Sequence, residues 1–286
     1  MKNAVDKRKV RRAFSRGAAE YDAHALVQRR AVDRLLVLTL PRAGTPGHVL
    51  DVGAGTGTLL ERLAAAFPGA AISGVDLAPG MARAARDRAS RALLSVGDAE
   101  ALPFRSGCFD LVLSTSTLQW LPHLEPALAE AHRVVAPGGT VAVALFGGAT
   151  LHELRGAWRE ALPAGAADRT HRFRTEREVG AALVEAGLAV EVLATERVVE
   201  RHAHPVALLK ALKRIGAGNA SPDRGGAPGL GARGALARMS AIYEARHGGA
   251  DGVLATWEIV YAVARRPGVG TPDEAKPPPS SASTST

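Results

Sequence analysis

Cysteine is almost absent: Cys108 is the only one in 286 residues. That excludes a disulfide framework and the paired Cys/His spacings of a zinc site, and no metal is expected. Aromatic residues are scarce at 4%, thin for a base-stacking platform, so nothing favours a nucleic acid as partner. No apolar run approaches the roughly 20 residues that a membrane helix needs. The candidate Leu35-Leu36-Val37-Leu38-Thr39-Leu40 stops at Pro41, and no membrane association is expected. Six Lys and Arg in residues 1–12 are followed by no apolar stretch, so a secretory leader is not expected and the default address is the cytoplasm.

What is present is the composition of a globular protein, 47% apolar and 22% charged, with an uneven net charge of +8. Residues 1–30 hold nine Lys/Arg against three Asp/Glu, residues 31–146 nine against ten, and residues 147–266 seventeen against thirteen. The middle is neutral and the flanks are basic. A basic surface speeds encounter with polyanions, and an acidic protein is the partner this distribution favours over nucleic acid or membrane.

Apolar spacing predicts a helical cap over residues 13–40, after a frayed basic segment 1–12. From His48 onward, strands and helices alternate. Strands are expected at 48–52, 71–75, 93–96, 109–114, 140–146, 188–199 and 257–264, with helices at 58–66, 79–88, 124–135, 151–162 and 176–186. This alternation predicts an α/β fold, a doubly wound, mostly parallel seven-stranded sheet of Rossmann-like type. The domain is expected over 13–266, with a cofactor-binding half at 47–146 and a substrate-side half at 147–266. A helical insertion over about 201–255 interrupts the second half, and the Pro/Ser/Thr-rich tail 267–286 lacks the apolar content to pack.

Val49-Leu50-Asp51-Val52-Gly53-Ala54-Gly55-Thr56-Gly57 reads as a strand, a glycine turn and a helix start. Gly53, Ala54 and Gly55 bring backbone close to a ligand. The spacing is G-x-G-x-G, unlike the G-x-G-x-x-G with which dinucleotide enzymes cradle a pyrophosphate, which weighs against an NAD-dependent dehydrogenase. Asp76, followed by Leu77, ends the second strand where a carboxylate accepts hydrogen bonds from ribose hydroxyls. Asp98 and Ala99 follow the third strand, where a carboxylate and the next amide suit an adenine ring. Ser114 ends the fourth strand, and Met81 suits the core or an adenine wall. Asp51 is expected to brace the loop amides, and Asp110 to be structural.

This ordered set, with Arg133-Val134-Val135-Ala136-Pro137-Gly138-Gly139, resembles the class I S-adenosylmethionine-dependent methyltransferases. The outer segments are similar to the malonyl-[acyl-carrier protein] O-methyltransferases of biotin synthesis. They are Phe14 to Asp22, Gln28-Arg29-Arg30, Leu118-Gln119-Trp120, Leu154 to Trp158, His171-Arg172-Phe173, Leu212 to Ala217 and Thr256 to Tyr261. Ala54 stands where many members of that family have Cys. The resemblance implies S-adenosyl-L-methionine as cofactor, S-adenosyl-L-homocysteine as product, and methylation of the free carboxylate of malonyl-acyl-carrier protein or malonyl-CoA. A quinone or a different carboxylic acid is the alternative acceptor, and a non-catalytic binding module the rival from another class. No acid/base pair is expected, because the carboxylate is ionised at neutral pH. Arg172 and Lys213 are the expected cations for that carboxylate, with His171 beside them. Gln119 and Trp120 are expected at the pocket mouth and Tyr21 over the cofactor or substrate.

Overall fold

The strands at 48–52, 109–115 and 140–146 read as near-continuous apolar runs because helices cover both faces of the sheet there, whereas the edge strand at 189–202 alternates and has no buried residue. The computed structural model describes residues 6–163, 172–216 and 230–268. Its strands are β1 (His48–Val52), β2 (Ala71–Asp76), β3 (Leu93–Val96), β4 (Phe109–Thr115), β5 (Val135–Phe146), β6 (Ala189–His202) and β7 (Gly252–Arg265). They lie side by side in the order β3-β2-β1-β4-β5-β7-β6, and a two-residue stub, Gly248–Gly249, pairs with the start of β7. The first five are parallel, and β7 runs antiparallel to both β5 and β6. The expected mostly parallel, doubly wound sheet is the observed one.

Alternation along each strand divides the core in two. Val49, Leu111, Leu113, Ala142, Ala144 and Trp257 point to one apolar layer. It is completed by α2 (Leu26–Ala43), α3 (Thr58–Ala66), α6 (His152–Ala161), α8 (Pro205–Arg214) and α9 (Leu230–His247). Leu50, Val112, Val141, Val143 and Val260 point to the other, under α5 (Glu125–Val134) and α7 (Glu176–Glu185). Helix α4 (Pro79–Arg88) follows β2 and adds Ala85 to the first layer.

The N-terminal region departs from expectation. Residues 7–12 are not frayed: α1 spans Lys7–His24, capped by Asp6, whose carboxylate accepts from the amides of Arg8 (3.0 Å) and Lys9 (3.3 Å). The single cap helix is two, because the chain turns at Ala25 and sends α2 onto the sheet while α1 leaves it. Pro41 does not end α2. It sits in the last turn, where its missing N–H costs one bond. The insertion forms α8 and α9, while residues 217–229, His171 and the tail beyond residue 268 lie outside the described residues. Where described, no helix is long and apolar enough to cross a membrane.

Candidate active site

A doubly wound sheet opens a crevice at the carboxyl ends of its strands where the order reverses, here between β1 and β4. A cleft occupies that place, the position where such folds hold small ligands. The end of every strand from β1 to β4 reaches it: Val52 and Gly53, Asp76 and Leu77, Gly97 and Asp98, Thr115 to Thr117. Gly55, Met81, Ala99, Tyr21 and Trp120 line it too.

The turn after β1 is built from backbone. The amides of Gly53 and Ala54 donate to the carbonyl of Val75 at 2.7 and 3.0 Å. Gly53 has φ +83°, and a Cβ there would stand 2.0 Å from Oγ1 of Thr117, so a side chain would close the turn against β4. Asp76 is the acid that braces the loop. One carboxylate oxygen accepts from Gly55 N–H at 2.9 Å and the other from Ala78 N–H at 2.7 Å. Each oxygen retains a lone pair for a ligand. Burial raises the Asp76 pKa above the usual carboxylate range, while those two amides pull it down.

Asp51 does not brace the loop, contrary to expectation. It is 1% exposed and its Oδ1 has no hydrogen-bond partner among the described residues. Burial, aided by the charge of Asp76, pushes its pKa up to about 8. Asp110 is structural as expected, accepting from the amides of Gly47 (2.8 Å) and His48 (2.9 Å) at the start of β1.

Helix α1 roofs the cleft with Lys7, Val10, Arg11, Phe14 and Tyr21, a spacing that puts all five on one helix face. Lys7 Nζ pairs with Asp98 at 2.5 Å and with Glu100, anchoring α1 at the end of β3. Phe14 packs edge-on against Trp120, with centroids 5.6 Å apart, and lies 6.2 Å from Tyr21. At the far end, Asp22 accepts from Thr56 Oγ1 (2.7 Å) and pairs with Arg88 (2.6 Å). Burial, with the charges of Asp22 and Asp76, holds the Tyr21 hydroxyl well above its usual pKa.

Several expected residues stand elsewhere. Ala54 is buried behind the loop, and Ser114 donates its hydroxyl to the carbonyl of Val52 at 2.8 Å, tying β4 to β1. Gln119 is buried in a 3₁₀ turn, Leu118–Trp120, and does not line the cleft. Arg172 is surface-exposed and pairs with Glu178 at 2.5 Å, and Lys213 is exposed near the end of α8. Neither cation lines the cleft: Arg172 stands in the segment before α7, and Lys213 is on the exposed side of α8. Lys7 and Arg11 line it instead. They were missed because residues 1–12 read as a frayed charge run; Asp6 as an N-cap ahead of Val10 and Phe14 was the available signal.

Residues 50–143 match the family model of a methyltransferase domain. A protein of Geobacter sulfurreducens named malonyl-[acyl-carrier protein] O-methyltransferase is 52% identical over 268 residues, covering 92% of this chain and 100% of that protein. The chain belongs to the malonyl-[acyl-carrier protein] O-methyltransferase family. A relative of the same name from Halorhodospira halophila is 42% identical over 276 residues, covering 95% of this chain and 92% of its own. Among solved structures, the YcgJ protein from Bacillus subtilis matches with a TM-score of 0.57 at 17% identity, covering 82% of this chain and 99% of that one. At that identity the likeness establishes the fold.

Proposed function

We propose that this protein transfers the methyl group of S-adenosyl-L-methionine to the free carboxylate of a malonyl thioester on acyl-carrier protein, leaving S-adenosyl-L-homocysteine. The observation that carries this reading is the 52% identity spanning the whole of a relative with that name. The cleft suits the cofactor: a glycine turn that a Cβ would fill, and an acid at the end of each of β2 and β3. When bound, the cofactor supplies an electrophilic methyl group on a positively charged sulfur. Asp76, fixed by two amides, offers its remaining lone pairs to ribose hydroxyls, and Asp98 with the Ala99 amide suits the adenine edge.

The chemistry asks little proton work of the chain. A malonyl carboxylate is ionised at neutral pH and attacks without a general base. Tyr21, held protonated by burial, can donate a hydrogen bond but does not act as a base there. Rate then comes from alignment of the carboxylate oxygen, methyl carbon and sulfur under α1. Arg11 is the cation we assign to the substrate carboxylate. Lys7 is engaged by Asp98 and Glu100, whereas Arg11 has no ion pair among the described residues. Malonyl-CoA presents the same carboxylate and is the second acceptor of this reading. A quinone or a different carboxylic acid has no support from the relatives' names. Incubation with isotopically labelled S-adenosylmethionine and malonyl-carrier protein, followed by mass analysis of the acyl group, is expected to show a labelled methyl ester. An unmodified acyl group would refute the assignment.

A further inference from the structure

The outer flank of α1 carries charge that folding alone disfavours. Lys9, Arg12 and Arg16 recur at i, i+3 and i+7, forming one exposed stripe. The stripe starts at the positive end of the helix dipole, where cations cost stability and acids would add it, yet the first turn holds no acid. A second exposed stripe, Lys210, Lys213 and Arg214, lies on α8. The helices touch: the Arg214 carbonyl lies 3.6 Å from where a Gly17 Cβ would stand, which brings the second stripe beside the turn of Arg16. None of the six has an ion pair among the described residues, whereas Arg88, Arg133 and Arg265 are each held by a carboxylate.

We propose that this α1–α8 face is the docking surface for an acidic face of the carrier protein that presents the malonyl thioester. The inference rests on the function proposed above. A tethered substrate reaches the cleft only when its carrier sits beside it, and the inner face of the same α1 lines the cleft through Arg11 and Phe14. A protein fits better than a nucleic acid, because both aromatic residues of α1, Phe14 and Tyr21, face the cleft and leave no ring outside for bases to stack on. It also fits better than a bilayer, because among the described residues neither α1 nor α8 exposes a large apolar side chain for insertion.

The test is the pair of variants K9E/R12E and K213Q, neither of which touches the cleft. Acids at the start of α1 suit the helix dipole, so loss of the helix is not the expected outcome. K9E/R12E is expected to lower kcat/KM for malonyl-carrier protein about tenfold or more through KM, with malonyl-pantetheine changed by less than about twofold. K213Q is expected to act in the same direction, more weakly. Equal losses on both substrates, or none on either, would overturn the docking surface. Calorimetry with the carrier separates this inference from the functional reading. If the unmodified enzyme turned over neither thioester, the function would fall. Carrier binding lost in K9E/R12E, with S-adenosylhomocysteine binding kept, would still support the surface; carrier binding that is absent or undiminished would end it. An RNA oligomer or anionic vesicles bound as tightly as the carrier would also end it.

Discussion

Asp51 and Asp76 stand near the ends of neighbouring strands, and burial raises the pKa of both, yet among the described residues only the Asp76 carboxylate is given hydrogen bonds. Asp51 therefore carries a stability cost with a definite pH signature. Between the ordinary carboxylate pKa of about 4 and its folded value of about 8, the unfolded chain is ionised while the folded chain keeps the proton. The folded state then binds more protons, so stability falls as pH rises through that window. Asp51→Asn removes the ionisation, and its stabilising effect in chemical denaturation is expected to grow from about pH 5 to about pH 8. A gain that stayed flat with pH would show that Asp51 does not titrate there. At the opposite wall, Arg11→Ala is expected to lower kcat/KM for the malonyl thioester by about tenfold to a hundredfold, with little change in the Kd of S-adenosylmethionine. Arg172→Ala, exposed and paired with Glu178, is expected to change kcat/KM by less than about twofold. Steady-state kinetics of the two variants decides between the cations.

At the scale of elements, α1 is held over the cleft by its two ends and by close backbone packing in the middle. Lys7 ties one end to β3, and Asp22 ties the other to Arg88 and Thr56. Between them, Gly80 at the start of α4 lets Ser15 approach: a Cβ on Gly80 would stand 2.5 Å from the Ser15 carbonyl oxygen. That atom is backbone and cannot swing aside. Gly80→Val is therefore expected to push α1 off α4 and weaken cofactor binding by about tenfold or more, while costing on the order of 1–3 kcal/mol of stability. Calorimetry with S-adenosylhomocysteine reads the affinity and thermal unfolding the stability. Unchanged affinity would mean that α1 does not form the roof in solution. The sheet elements were legible because burial on both faces leaves long apolar runs bounded by glycine and charge. The limits of α3, α4 and β3 coincide with those expected. The α1–α2 boundary was not legible, since nothing in the local pattern at Ala25 marks where one helix leaves the sheet.

For the molecule as a whole, the ligand-binding end and the antiparallel end of the sheet are separate structures. The cleft uses the ends of β1 to β4 and α1, while β6 and β7 pair along 13 register positions far from it in strand order. Ligand binding is thus expected to be felt unevenly. Saturating S-adenosylhomocysteine should slow amide exchange in α1 and in the turns after β1, β2 and β3, with β6 and β7 unchanged. Uniform slowing would point to global stabilisation instead of closure of the roof.

The amino-acid sequence alone determined the doubly wound sheet, the glycine turn and the acids at Asp76 and Asp98, because those follow from local periodicity and from residues adjacent to strand ends. It also carried the family resemblance that whole-length identity to the Geobacter relative bears out. Only the tertiary structure decided which cations face the cleft. A charged side chain on a helix looks the same in sequence whether its face meets solvent or a pocket. It took the packing of α1 against α4 and α8 to bring Lys7 and Arg11 to the cleft, while Arg172 and Lys213 stand away from it. The division of labour between Asp51 and Asp76 was decided the same way, by which carboxylate the folded backbone supplies with amides.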